Sequence, residues 1–137
     1  MPTATEIAEF LETDFPQTKC TVEQAGPNAA TVRHPVGHAE LRPGGTVAGP
    51  VLMETADVAL YVAILATLGM VQLAVTTQLS INFLRKPPGD RAIVGVCTLI
   101  KLGRSQVVGE VRLYAEGLPD PVAHAVGTYH LPAARGA

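Results

Sequence analysis

Arg42-Pro-Gly-Gly-Thr-Val-Ala-Gly-Pro-Val-Leu-Met-Glu-Thr-Ala-Asp57 joins a glycine-rich loop to a long apolar run and sets one carboxylate inside that run. Pro43-Gly44-Gly45 is turn chemistry. Pro50 suits the first turn of a helix, where the N–H it lacks would have no partner. The pattern predicts a helix from Pro50 to about Leu68, with Gly69 as its stop. The start of such a helix offers backbone N–H groups and the positive end of the helix dipole, which together can hold a polarised oxygen. Asp57 adds a base or a nucleophile. Loop, helix start and carboxylate suggest an acyl-transfer site.

The flanking segments wrap this helix. Ile7, Phe10 and Leu11 recur at helical spacing, which predicts a short amphipathic helix over Thr5–Thr13, capped by Thr3 or Thr5 and ended by Pro16. Lys19–Gln24 and Ala30–His34 read as short strands around the turn Gly26-Pro27-Asn28. His38–Leu41 is a candidate for a further short strand. Leu73–Leu84 alternates cleanly, with Val75, Thr77, Leu79, Ile81 and Phe83 on one face and Thr76, Gln78, Ser80 and Asn82 on the other. A turn at Lys86–Asp90 leads to strands over Ala92–Leu102, Gln106–Ala115 and Val122–Leu131, the last three joined as hairpins. The tail beyond Leu131 is expected to fray. One helix apolar on most sides, followed by strands in a row, is an α+β layout in which antiparallel sheet wraps a single central helix.

Length and composition set the outer limits. The chain has 137 residues, which fits one domain over residues 1–137. Apolar residues make up 47% and charged residues only 16%, a lean surface for a monomer, so another copy of the chain is expected to cover part of it. A net charge of −2 with no basic stripe gives no case for nucleic acid. Val58–Val75 is apolar enough to raise a membrane span. Gly69 and Gln72 interrupt it, however, and Glu54 and Asp57 stand just before it. The reading is a core helix with no membrane partner. No cationic start precedes an apolar run, so a cytoplasmic location is expected. Cys20 and Cys97 are far apart and read as buried small hydrophobes. His34, His38, His124 and His130 show no metal-ligand spacing and read as structural or surface residues, with no metal or cofactor expected.

These residues resemble the hotdog-fold acyl-CoA thioesterase superfamily, in the branch related to the phenylacetate-pathway (PaaI-like) enzymes. In that family a loop Asn-x-x-Gly-x-x-His-Gly-Gly leads into the central helix. An Asp or Glu follows the first Gly of the final pair by eight residues, and a strand Thr-x-x-Leu-x-Ile-x-Phe-Leu-Arg-Pro comes next. Gly45 and Gly49 match the loop, Asp57 the carboxylate, and Thr76-Thr77-Gln-Leu-Ser-Ile-Asn-Phe-Leu-Arg85 the strand. The chain departs from the pattern at Arg42 for Asn, Ala48 for His and Pro50 for the second Gly. Pro50 cannot donate an N–H, so Gly49 carries the one matched donor that remains.

The spacing constrains any mechanism. Eight residues of helix separate Gly49 from Asp57 by about 12 Å, too far for one carbonyl to touch both. A site using both must draw Gly49 from one subunit and Asp57 from another, as a symmetric homodimer or homotetramer allows, and the resemblance implies the same arrangement. The resemblance implies thioester hydrolysis of a small or aromatic acyl-CoA. The Gly49 N–H would polarise the carbonyl, and Asp57 would attack it or activate water. Glu54, one turn before Asp57, is a candidate second carboxylate, and Thr76 a hydrogen-bond partner for the base or a water. Arg42 and Gly45 in the loop, and the cations Arg85, Lys86, Lys101 and Arg104 at strand ends and turns, are candidate contacts for substrate and for the CoA phosphates. The alternative is a non-catalytic hotdog protein that binds acyl-CoA or a fatty acyl group. A dehydratase of this fold ranks lower, because it would need a His in the loop.

Overall fold

The computed structural model describes residues 1–132; most of the tail expected to fray lies outside them. The elements are α1 (Ala4–Asp14), β1 (Thr21–Ala25), β2 (Ala29–His34), a 3₁₀ turn (His38–Glu40), α2 (Gly49–Leu68), β3 (Val75–Phe83), β4 (Ile93–Leu102), β5 (Gln106–Ala115) and β6 (Pro121–His130). Six strands form one antiparallel sheet in the order β1-β2-β4-β5-β6-β3, and α2 packs across it. This is the α+β hotdog layout expected.

The apolar run of α2 is explained by burial. Leu52, Thr55, Ala56 and every residue from Val58 to Ala66 are buried, and Gly69, with φ +97°, stops the helix as a C-cap. Glycines let the sheet close on this helix. Gly109 and Gly127 face each other on β5 and β6. A Cβ on either would lie 2.6 Å or 2.5 Å from the Leu60 methyl groups. Leu60 thus fills a slot that only glycine leaves open. At the other end of the chain, α1 is fixed by a capping box in which Thr3 and Glu6 satisfy each other's backbone N–H.

Two expectations are corrected, and the place of β3 in the sheet is a new finding. His38–Leu41 is a 3₁₀ turn rather than a strand, because Glu40 folds back to accept the Gly37 N–H at 2.7 Å and to pair with Lys19 at 2.6 Å. Only Leu41 then bridges to Val47. β3 is a strand whose sheet neighbour its sequence leaves open. It runs beside β6 at the sheet edge, and the chain crosses over the sheet to reach β4. The second correction concerns the two faces of β3. A bulge leaves Thr77 unpaired between the pairs Thr76–Tyr129 and Gln78–Thr128. That extra residue turns Thr76 to the inward face shared with Leu79, opposite buried Tyr129 and Gly127.

Candidate active site

Asp57 sits midway along α2 and lines a cavity of about 480 Å³ with Phe10, Phe15, Tyr61, Thr76 and Tyr129. Its Oδ1 accepts two hydrogen bonds, from Thr76 Oγ1 at 2.6 Å and from Tyr129 OH at 2.8 Å. Tyr129 OH also reaches the Asp57 carbonyl at 3.1 Å. Two donors on one oxygen fix the carboxylate and leave Oδ2 for other work. Burial, and next the Asp57 charge, push the Tyr129 phenol well above its usual range, so it stays a donor. The rest of the wall is aromatic. Tyr61 stacks on Tyr129 at 6.1 Å between centroids and meets Phe10 and Phe15 of the α1 segment at 6.4 Å each.

The helix start is elsewhere. Among the described residues the Gly49 N–H has no hydrogen-bond acceptor, and Ala48 at the N-cap supplies no side-chain oxygen. The dipole end is therefore uncapped. The Phe83 ring packs beside Gly49, 3.5 Å from where its Cβ would lie. Arg42, Arg85 and Lys86 line a separate cavity of about 360 Å³ beside this end, with Phe83 and Leu52. Gly44 and Gly45, at φ +102° and +83°, form the turn that carries Arg42, and the Gly45 N–H donates to the Arg42 carbonyl. Gly45 thus shapes the loop.

The structure brings Thr76 to Asp57 but not the other expected partners. Within one chain Gly49 does not reach the cavity that Asp57 lines, as their spacing requires. Glu54 does not share the Asp57 cavity. Its carboxylate takes hydrogen bonds from Thr18 Oγ1 at 3.0 Å and the Lys19 N–H at 3.4 Å, and lies 3.2 Å from His34 Nε2. Three residues along a helix still leave about 60° of arc between side chains, enough to send the two acids to different neighbours. Arg104 stands on the exposed β4–β5 hairpin, at the Val75 end of the sheet rather than with Arg85 and Lys86, and Lys101 is exposed on β4. Sequence reasoning missed Tyr129; its one signal was an aromatic hydroxyl on the strand face otherwise made of Ala123, Ala125 and Gly127. Cys20 and Cys97 are free and buried, each thiol pushed up to about 12 by burial. His34 is buried, His124 pairs with Glu110 at 3.0 Å, and His38 and His130 are exposed.

Comparisons with known proteins agree with this architecture. Residues 44–121 match the family model of the thioesterase superfamily. A candidate thioesterase from Silicibacter sp. TM1040 is 40% identical, with a TM-score of 0.87 over 95% of this chain and 92% of that one. Zebrafish thioesterase superfamily member 2 is 19% identical, with a TM-score of 0.84 over 96% and 100% of the two chains. The PaaI protein of the E. coli phenylacetic acid degradation operon is 18% identical, with a TM-score of 0.79 over 93% and 91%. No functionally curated protein sequence matches the chain. With the wrapped helix, the loop motif and the family match in agreement, this chain belongs to the thioesterase superfamily, as a hotdog-fold thioester hydrolase.

Proposed function

We propose that the protein hydrolyses the thioester of a small or aromatic acyl-CoA at sites shared between two copies of the chain. The observation that carries this is the placement of two half-sites at opposite ends of one unpaired edge strand. Asp57 and Thr76 lie at the start of β3, and Phe83, packed on Gly49, lies at its end. Val75 and Phe83 are 53% and 54% exposed there, which is unusual for apolar strand residues unless they are covered. Antiparallel pairing of β3 with its own copy about a two-fold axis near the middle of the strand would bring the Phe83 end of one copy beside the Thr76 end of the other. The uncapped Gly49 N–H of the partner subunit would then face Asp57, and the two-fold axis would generate a second, equal site.

In this reading the Gly49 N–H and the α2 dipole polarise the thioester carbonyl. Asp57 Oδ2 takes a proton from water as the water oxygen bonds to the carbonyl carbon. When the C–S bond breaks, the thiolate leaves with that proton. In the covalent variant, Oδ2 attacks the carbonyl carbon directly, the C–S bond breaks and the CoA thiolate leaves, and water then hydrolyses the resulting anhydride to the free acid and the Asp57 carboxylate. The aromatic wall around Asp57 suits an aryl or short acyl group. Arg42, Arg85 and Lys86 supply positive charge for the CoA phosphates, and Arg104 extends it at the Val75 end of the sheet. Free thiols at Cys20 and Cys97 suit a reducing cytoplasm.

A panel of acyl-CoAs assayed with a thiol-detecting dye tests the proposal, with wild type beside Asp57→Asn. Wild type should release CoA from aryl or short acyl thioesters, and Asp57→Asn should lose about 10²–10⁴-fold in kcat. Silence of wild type across the panel, with acyl-CoA still bound, would replace this reading with that of a non-catalytic binding protein.

A further inference from the structure

We propose that Cys20, His34 and Glu54 form a binding site for a divalent transition metal of the zinc class. The three come from separate elements: Cys20 just before β1, His34 at the end of β2, and Glu54 in the second turn of α2. Their ligand atoms lie within 4.8 Å of one another. Cys20 and His34 are 6% and 1% exposed. Bonds of ordinary length to a tetrahedral zinc would put such atoms about 3.4–3.6 Å apart. The His34 Nε2 to Glu54 Oε1 distance, 3.2 Å, is already near that value.

The hydrogen bonds around His34 point the same way. Nδ1 is 2.7 Å from the Pro35 carbonyl, which can only accept, so Nδ1 carries the hydrogen. In the neutral ring, Nε2 then aims a lone pair at a carboxylate oxygen that also has lone pairs. Only a proton or a cation between them makes that contact favourable. A carbonyl holding the far nitrogen of a metal-bound histidine is the usual outer support of such sites. Glu54 is supported likewise: Thr18 Oγ1 and the Lys19 N–H hold Oε2 and leave Oε1 for the cation.

Charge and access also fit. A thiolate, a carboxylate and a neutral imidazole balance a divalent cation, and the nearby Lys19 ammonium is already paired with Glu40 at 2.6 Å. Thr18 and Cys20 line a cavity of about 390 Å³ between α1 and β1, which gives an entry path from the Cys20 side. Binding would release the proton of the Cys20 thiol as it becomes a thiolate. The site lies outside the Asp57 cavity and does not depend on the hydrolase reading. Its effect would be to clamp α1, β1 and β2 to the start of α2.

The test uses the reduced whole protein after chelator treatment, titrated with Co²⁺ and then Zn²⁺. One cobalt per protomer should give a thiolate-to-cobalt charge-transfer band, which zinc then removes. Protons should appear in weak buffer as zinc binds, and zinc should raise the melting temperature. Cys20→Ser, nearly isosteric, should lose the band and bind zinc more than about 10-fold more weakly. The wild-type proton release and melting shift stand even if that variant folds poorly. No thiolate band in wild type, a band that survives in Cys20→Ser, or zinc binding without proton release would each overturn the proposal.

Discussion

Asp57 is held through one oxygen by two hydroxyls from different strands, and this asymmetry predicts graded effects. Thr76→Val and Tyr129→Phe each remove one donor, worth about 1–2 kcal/mol, so each should lower kcat about five- to thirtyfold while KM changes little. The checks are steady-state kinetics and a pH profile. Because burial keeps the Tyr129 phenol protonated, the profile should gain no alkaline limb from it. Glu40 supports a different prediction. The Lys19 ammonium, and next the Gly37 N–H, hold its carboxyl below the usual carboxylate range. A group whose folded pKa is depressed contributes stability above its unfolded value, about 4.3, and loses it as pH falls through the folded value. Glu40→Gln should therefore be less stable than wild type at neutral pH, and its urea midpoint should fall less on acidification below about pH 4.3.

Helix α2 and the strands around it depend on glycine where side chains would otherwise collide. Gly127→Ala drives a methyl into Leu60, as the 2.5 Å approach requires. Overpacking of this kind costs about 1–3 kcal/mol, and a lower urea midpoint at unchanged slope would confirm it. The bulge in β3 has the opposite character. It adds no packing, yet it decides which face carries Thr76 and so whether Asp57 has its partner. Simple alternation along Leu73–Leu84 reads the apolar face of the strand correctly from Leu79 onward. It puts Thr76 on the wrong side, because a one-residue bulge leaves no mark in a pattern of period two.

Two copies of the chain are needed for a complete site in the proposed arrangement, and this can be tested by mixing defects. Gly49→Pro removes the N–H at a helix position that accepts proline, and should cost about 10²–10³-fold in kcat. Gly49→Ala keeps the N–H, places its methyl at an ordinary 3.5 Å from Phe83, and should stay active. When Gly49→Pro and Asp57→Asn chains are exchanged, each mixed dimer should regain one intact site, and activity should recover to roughly a quarter of wild type. A mixture no more active than its parents would overturn the shared site. Sedimentation velocity should show no monomer at micromolar protein, and Ser80→Lys on the outer face of β3 should produce one.

The sequence alone determined the central helix, its glycine stop, the order of strands along the chain, and the loop and carboxylate that mark the family. These features rest on local rules: helical or strand periodicity, turn chemistry, and a motif contained within a few dozen residues. Tertiary structure decided what lies next to what. Tyr129 reaches Asp57 across 72 residues of chain, Glu54 turns to Thr18 and His34 instead of to Asp57, and β3 pairs with β6. Such contacts depend on where the sheet edge falls, on a single bulge, and on the arc between neighbouring helix positions. No residue pattern along the chain encodes them separately, because each arises only when distant segments pack against the same helix.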